Sequence, residues 1–248
     1  MIKILLFLLT SSFSMSLMAY QNKTICGMKD NRRPSIDPRI GRAKAKKKEE
    51  KMAGCSVWMI SDSCALTAGH CMPVLKNIEF HVPRSRGGIT RRAIKENQYL
   101  VNQSSIEREY DGFGKDWAVL KLRPNKITDL YPGEVGGFFD LELKKLPRKG
   151  QKVRITGYGI ATRPSYYGAQ NTHFGIIDKV DRQENYLDYD VDTTGGNSGS
   201  PVVSEKTGKA IAIHTNGGCT NAGGANRGTL IATSPKLVKA IRACLASE

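Results

Sequence analysis

From Gly54 onward the apolar residues of this chain fall in short runs broken by turn-forming residues, and that rhythm limits the folds open to it. The runs cover residues 55–60, 64–68, 77–82, 117–122, 152–157, 174–180, 186–191, 201–203 and 210–214. Segments of this length suit strands, and many of them at such spacing point to an all-β sandwich or barrel. One helix is expected, at the C-terminus, where Ser234-Pro235 opens a stretch with Leu237, Val238, Ile241 and Leu245 at helical spacing. No internal repeat is visible. A chain of 248 residues can bury a sizeable core, in one large domain or in two small ones that share an interface.

Residues 1–19 carry one early charge, Lys3, then an apolar run at 4–9, a Ser/Thr-rich stretch and Leu17-Met18-Ala19. This pattern reads as a secretory signal peptide cut after Ala19. The run is too short for a membrane anchor and is broken by Thr10, Ser11 and Ser12, and no apolar stretch long enough to span a bilayer occurs elsewhere. Six cysteines in an exported chain imply three disulfides, among fifteen possible pairings that composition does not separate. No Cys-x-x-Cys pair is present, so no metal site is expected.

The formal charge of +15 suggests a polyanion binder at first sight. Six of these charges lie in residues 29–51, where ten basic residues face four acidic ones. Residues 20–51 therefore read as an N-terminal arm and a basic loop that ends in Lys44-Ala-Lys-Lys-Lys-Glu-Glu-Lys51. Such a run is usually solvated, and no aromatic residues interleave it as base stacking requires. Nucleic acid is not expected as a partner; an anionic surface remains a candidate for the arm.

Three local patterns carry chemistry: Thr67-Ala-Gly-His70-Cys71, Asp116-Trp-Ala-Val-Leu120 and Thr193-Thr-Gly-Gly-Asn-Ser198-Gly-Ser-Pro201. Each alone has a bland reading as a core histidine, a strand cap or a loop. Together they supply a base, an orienting carboxylate and a nucleophile. A free serine hydroxyl is a weak nucleophile at neutral pH, so it needs an imidazole to take its proton and a buried carboxylate to orient that imidazole. Asp116 directly precedes an apolar run and can sit at the edge of a core, whereas Asp111 lies in a Gly-rich stretch and reads as solvated. Glycines beside Ser198 allow a sharp turn that presents amide N–H groups to a developing oxyanion.

In these motifs and in their order the chain resembles the chymotrypsin-family serine endopeptidases. The order His, Asp, Ser and the presence of Ser200 in place of glycine argue against an α/β-hydrolase, as does the lack of strand–helix alternation. The resemblance implies an all-β fold of two antiparallel Greek-key β-barrels with a C-terminal α-helix and the site in the cleft between them. His70 and Asp116 come from the first barrel in this reading, and Ser198 from the second. Gly196 and Ser198 supply the oxyanion hole. The implied boundaries are a first barrel over 52–135 and a second barrel with the terminal helix over 136–248.

Within that family, the same serine motif and Ala210-Ile-Ala-Ile-His214-Thr-Asn-Gly-Gly resemble the glutamyl endopeptidases, a bacterial secreted branch. The resemblance implies that His214 and Thr193 receive the carboxylate of the residue before the scissile bond; an imidazole suits this because it can be a charged donor near neutral pH. Asp192 points the other way. It holds the place where trypsin-like members keep the acid that binds Lys or Arg, unless it points away or pairs with His214. Arg227 is a weaker candidate for attracting an acidic side chain and reads as solvated.

Trypsin-like zymogens have an aspartate before the serine that captures a new N-terminus. Here that residue is Asn197, so this switch is expected to be absent. Thr24-Ile-Cys-Gly-Met-Lys-Asp-Asn-Arg resembles the mature start of the glutamyl branch, which implies a short propeptide at 20–23 and a second cut after Lys23. The resemblance supports a Cys55–Cys71 disulfide, and Cys26–Cys219 with Cys64–Cys244 is the pairing guessed for the rest. It implies a monomer acting on protein or peptide substrates, secreted or periplasmic in a bacterium, with no metal or cofactor. The rival reading from another class is a catalytically silent basic binding protein on the same scaffold.

Overall fold

The computed structural model describes residues 25–44, 54–161 and 163–248. The expected signal peptide, the 20–23 propeptide, Thr24 and most of the basic run at 44–51 lie outside them. Short strands with buried faces pair antiparallel throughout. The first set is β2 (Ile40–Ala43), β3 (Cys55–Met59), β4 (Cys64–Thr67), β5 (Asn77–Glu79), β6 (Gln98–Tyr110) and β7 (Asp116–Leu122). It closes into a barrel in the order β2-β3-β4-β7-β6-β5. The second set is β8 (Lys152–Gly157), β9 (Asn171–Asp181), β10 (Tyr186–Tyr189), β11 (Pro201–Ser204), β12 (Ala210–Asn216) and β13 (Asn226–Leu230). Its order is β9-β10-β13-β12-β11-β8, closed by the β8–β9 pairing, and β1 (Arg33–Pro34) adds to the edge at β9.

Both barrels share one topology. Three consecutive strands pair in turn, and the fourth crosses back to lie beside the first, as β5 does beside β2 and β11 beside β8. That is a Greek key. The repeat invisible in the sequence is thus present in the chain path, because topology constrains which positions are apolar and not which apolar residue fills them.

Each barrel has its own apolar core. Trp58, Leu66, Ile78, Tyr99 and Leu120 fill the first, and Val153, Ile155, Ile177, Leu187 and Leu230 the second. The terminal helix, Pro235–Leu245, is capped by Ser234, whose Oγ accepts the Leu237 N–H at 3.4 Å. Its buried face is Leu237, Ala240, Ile241 and Cys244, and it packs on β6 and β7 of the first barrel. Leu245, expected on that face, is exposed.

Two boundaries differ from the sequence reading. Ile40–Ala43, read as part of the arm, is a fully buried strand of the first barrel. Its Arg42 is hidden because Glu79 and the carbonyls of Gly168 and Arg91 accept its guanidinium hydrogens at 2.6 Å each. The terminal helix belongs spatially to the first barrel, although it follows the second in sequence.

Three disulfides join Cys26 to Cys219, Cys55 to Cys71 and Cys64 to Cys244. The Cys55–Cys71 bridge closes a short loop worth about 3 kcal/mol in the chain-entropy picture. The two long-range bridges tie the arm to the loop after β12 and the terminal helix to β4.

Candidate active site

Strand β4 ends at Thr67, and the chain turns at once into a short 3-10 helix, Gly69–Val74, that carries His70. The Cys55–Cys71 bridge fastens this helix to β3. Asp116 is the first residue of β7 and only 2% exposed. Both its carboxylate oxygens face His70: Oδ1 accepts the backbone N–H at 3.0 Å, and Oδ2 lies 2.6 Å from Nδ1. A carboxylate only accepts, so Nδ1 carries the proton and Nε2 is left as an acceptor. Nε2 lies 2.7 Å from Ser198 Oγ. The first barrel thus contributes the imidazole and the carboxylate, and the second the hydroxyl. Asp111, by contrast, is exposed and pairs with Lys115 at 3.6 Å.

Ser198 sits in the loop between β10 and β11. Ser56 of β3 holds that loop from the other barrel: its N–H donates to the Ser198 carbonyl at 2.7 Å, and its Oγ donates to the Gly196 carbonyl at 3.0 Å. The Gly195 carbonyl accepts the Ile160 N–H at 2.8 Å, and the Asn197 carbonyl accepts the Ser200 N–H at 3.0 Å. In a trans peptide the N–H points opposite to the carbonyl, so these bonds set the directions of the Gly196 and Ser198 amides. Gly196 has φ of 99°, a conformation that disfavours any side chain.

The specificity candidates separate. Asp192 is buried, and its carboxylate is taken up by the arm: Cys26 N–H donates to Oδ1 and Asn31 N–H to Oδ2, each at 2.8 Å. The Asp192 N–H donates to His173 Nδ1 at 2.8 Å. The pairing of Asp192 with His214, one option in the sequence reading, is replaced by another contact. His214, buried on β12, has its Nδ1 2.5 Å from the hydroxyl of Tyr189 on β10. Burial pushes the Tyr189 phenol well above its ordinary range, so it stays protonated. Thr193 is fully buried, and its Oγ1 has no hydrogen-bond partner among the described residues. Arg227, read as solvated, is instead stacked between Phe113 and Tyr186 and held by both oxygens of Asp188 at 2.6 and 3.0 Å.

Among the described residues, Cys55, His70 and Cys71 are the cluster with spacing suited to a metal, but both sulfurs are spent in their disulfide. Ser56, Tyr189, His173 and the arm residues around Asp192 carry no sequence signal that marks them for the site. Each is an ordinary residue made important by a partner far along the chain.

Residues 55–213 match the trypsin-like peptidase domain family. A glutamyl endopeptidase of Bacillus licheniformis is 28% identical over 196 residues, which cover 73% of this chain and 56% of that protein. One of Staphylococcus aureus is 31% identical over 131 residues, 50% of this chain and 36% of that protein. The chain therefore spans about half or less of the length of these relatives. Among solved structures, a Glu endopeptidase in complex with MPD superposes with a TM-score of 0.66 at 19% identity, over 90% of this chain and 100% of that one. A scabies mite inactivated protease paralogue superposes at 0.60 and 17% identity over 90% of this chain and 100% of that one. At such identities the likeness is one of fold.

Proposed function

Because the chain belongs to the trypsin-like peptidase domain family, we propose that it is an exported serine endopeptidase that cuts peptide bonds after glutamate. The observation that carries the activity is His70 bridging Asp116 and Ser198 at 2.6 and 2.7 Å. Ser198 Oγ attacks the scissile carbonyl carbon while its proton passes to His70 Nε2. The resulting imidazolium is stabilised by Asp116, and the amides of Gly196 and Ser198 bind the oxyanion. As the intermediate collapses, the C–N bond breaks and His70 returns the proton to the leaving amine. Water then attacks the acyl-enzyme by the same route and releases the acid product.

The glutamate preference is supported by how each specificity candidate is held. Asp192 presents two oxygens already bonded to arm amides, which leaves it ill suited to bind a substrate Lys or Arg. Thr193 offers a buried hydroxyl with an unused proton. When Tyr189 donates to His214 Nδ1, the imidazole carries its hydrogen on Nε2 and can donate there to a carboxylate. The relatives named glutamyl endopeptidases fit the same preference. Export is supported by three disulfides, which persist in oxidising compartments.

A serine-directed fluorophosphonate tests the activity. Wild type becomes labelled on Ser198, and Ser198→Ala does not. Folded protein that takes no label favours the silent basic binder instead.

A further inference from the structure

The loop from Asp192 to Ser198 holds the groups assigned to catalysis or specificity in the second barrel other than His214 and its partner Tyr189, and a single stretch of the arm grips both its ends. At the Asp192 end the grip is the two backbone amides of Cys26 and Asn31. At the Ser198 end it is a side chain. Arg32 Nη1 donates to Thr194 Oγ1 at 2.6 Å and to Asn197 Oδ1 at 3.5 Å, and Nη2 donates to the Ile160 carbonyl at 2.8 Å. The same Asn197 oxygen accepts the Thr194 N–H at 3.0 Å, and Thr194 Oγ1 donates to the Ile160 carbonyl at 2.5 Å. Ile160 is also the residue whose N–H holds the Gly195 carbonyl and so directs the Gly196 amide.

This cluster is built for Arg32. Asp30 takes the other side of the guanidinium fork, with Nε on Oδ1 at 2.9 Å and Nη2 on Oδ2 at 2.8 Å, and the Arg32 side chain is only 3% exposed. A Cβ at Gly159 would lie 2.1 Å from Asn197 Oδ1, 2.6 Å from Thr194 Oγ1 and 2.7 Å from Arg32 Nη1, so the cluster occupies the space a side chain there would need. The arm is itself anchored by the Cys26–Cys219 disulfide, by the Gly27 N–H on the Thr220 carbonyl and by the pairing of Arg33–Pro34 with β9. The charge of Arg32 is already neutralised by Asp30. A neutral acceptor at position 197 completes the shell, whereas a carboxylate would add an unbalanced charge in a buried place.

We propose that Arg32 is a positioning residue for the Thr194–Ser198 loop, an internal guanidinium that fixes the amides of Gly196 and Ser198. The catalytic half of the proposal rests on the assignment of Ser198 as nucleophile and of those two amides as oxyanion donors; the ordering half stands without it.

The test compares wild type, Arg32→Gln and Arg32→Lys by two readouts. Hydrogen exchange of the 193–198 amides reads order, and it rises about tenfold or more in Arg32→Gln while β3 and β12 keep their protection. Fluorophosphonate labelling and peptide hydrolysis read the oxyanion donors. Since losing one such donor costs roughly 10²–10³ in turnover, disordering both lowers kcat by at least about tenfold with KM little changed. Affinity for a peptide aldehyde, which forms the tetrahedral adduct, falls more than affinity for the product acid. Arg32→Lys, which keeps the charge and loses the fork, lies between the two. Unchanged exchange at 193–198 in Arg32→Gln overturns the proposal, as does a uniform rise across both barrels. Should Arg32→Gln not fold, Arg32→Lys takes its place in both readouts, and the same results support or overturn the proposal. If wild type itself takes no label, the Ser198 assignment falls, and the exchange readout still decides whether Arg32 holds the loop.

Discussion

The hydroxyl of Tyr189 lies 2.5 Å from Nδ1 of His214, and both side chains are sealed from solvent inside the second barrel. A protonated phenol at that distance selects which imidazole nitrogen carries the hydrogen, and so which one is the donor. Tyr189→Phe removes the hydroxyl and keeps the ring. We expect KM for a Glu peptide to rise roughly five- to tenfold, the worth of a buried hydrogen bond of about 1–1.5 kcal/mol, with kcat little changed. Steady-state kinetics on one Glu peptide checks this. An unchanged KM removes Tyr189 from the specificity account.

Asp192 yields a prediction that separates it from a pocket acid. Asp192→Asn keeps the shape, but its amide nitrogen then confronts either the Cys26 or the Asn31 N–H, donor against donor. A buried donor left without an acceptor costs about 1–3 kcal/mol, so the thermal midpoint falls. The ratio of Glu to Lys cleavage stays within about threefold, since a group that does not touch the substrate alters binding by only a few tenths of a kcal/mol. Selective loss of Lys cleavage in this variant would contradict the assignment.

His173 makes the same region sensitive to acid. Burial lowers its pKa below the ordinary value, against the opposing pull of Asp192, Asp190 and Asp30, while Arg32 adds to the lowering. Above the ordinary histidine pKa of about 6.5 the ring is neutral in folded and unfolded chains alike, and its stabilising bond from the Asp192 N–H is fully present. Below that value the unfolded chain takes up a proton that the folded chain resists, so stability falls as pH drops toward the folded value. Urea midpoints of wild type and His173→Gln from pH 7.5 to 5 check this: wild type loses stability more steeply. Parallel slopes exclude His173 as the source.

The chemistry of the site is legible in the sequence where it is written into contiguous residues. His70 stands beside Cys71 just after an apolar run, Asp116 opens a later one, and Ser198 lies among turn-forming glycines, so each motif carries its own local signal. Strands with few apolar residues are harder to see. Gln98–Tyr110 has only Tyr99 and Val101 buried, because most of β6 lies at the barrel surface beside the buried β7, with a register shift between Asn102 and Glu107, and Ile40–Ala43 hides its arginine behind a partner 37 residues away. The supports of the site are the least visible. Asn31 meets Asp192 across 161 residues, and Arg32 meets Thr194 across 162, so neither contact leaves a mark on local pattern.

The most direct measurement of the central claim is kcat/KM for two peptides identical except for Glu or Lys before the scissile bond, with Ser198→Ala as the blank. Matching a charged side chain to a buried donor set is worth about 3 kcal/mol or more over the opposite charge, so the Glu peptide should be favoured by at least about a hundredfold. A preference for Lys would contradict the roles of His214, Thr193 and Asp192 together, and cleavage of neither above the Ser198→Ala blank would contradict the endopeptidase reading itself.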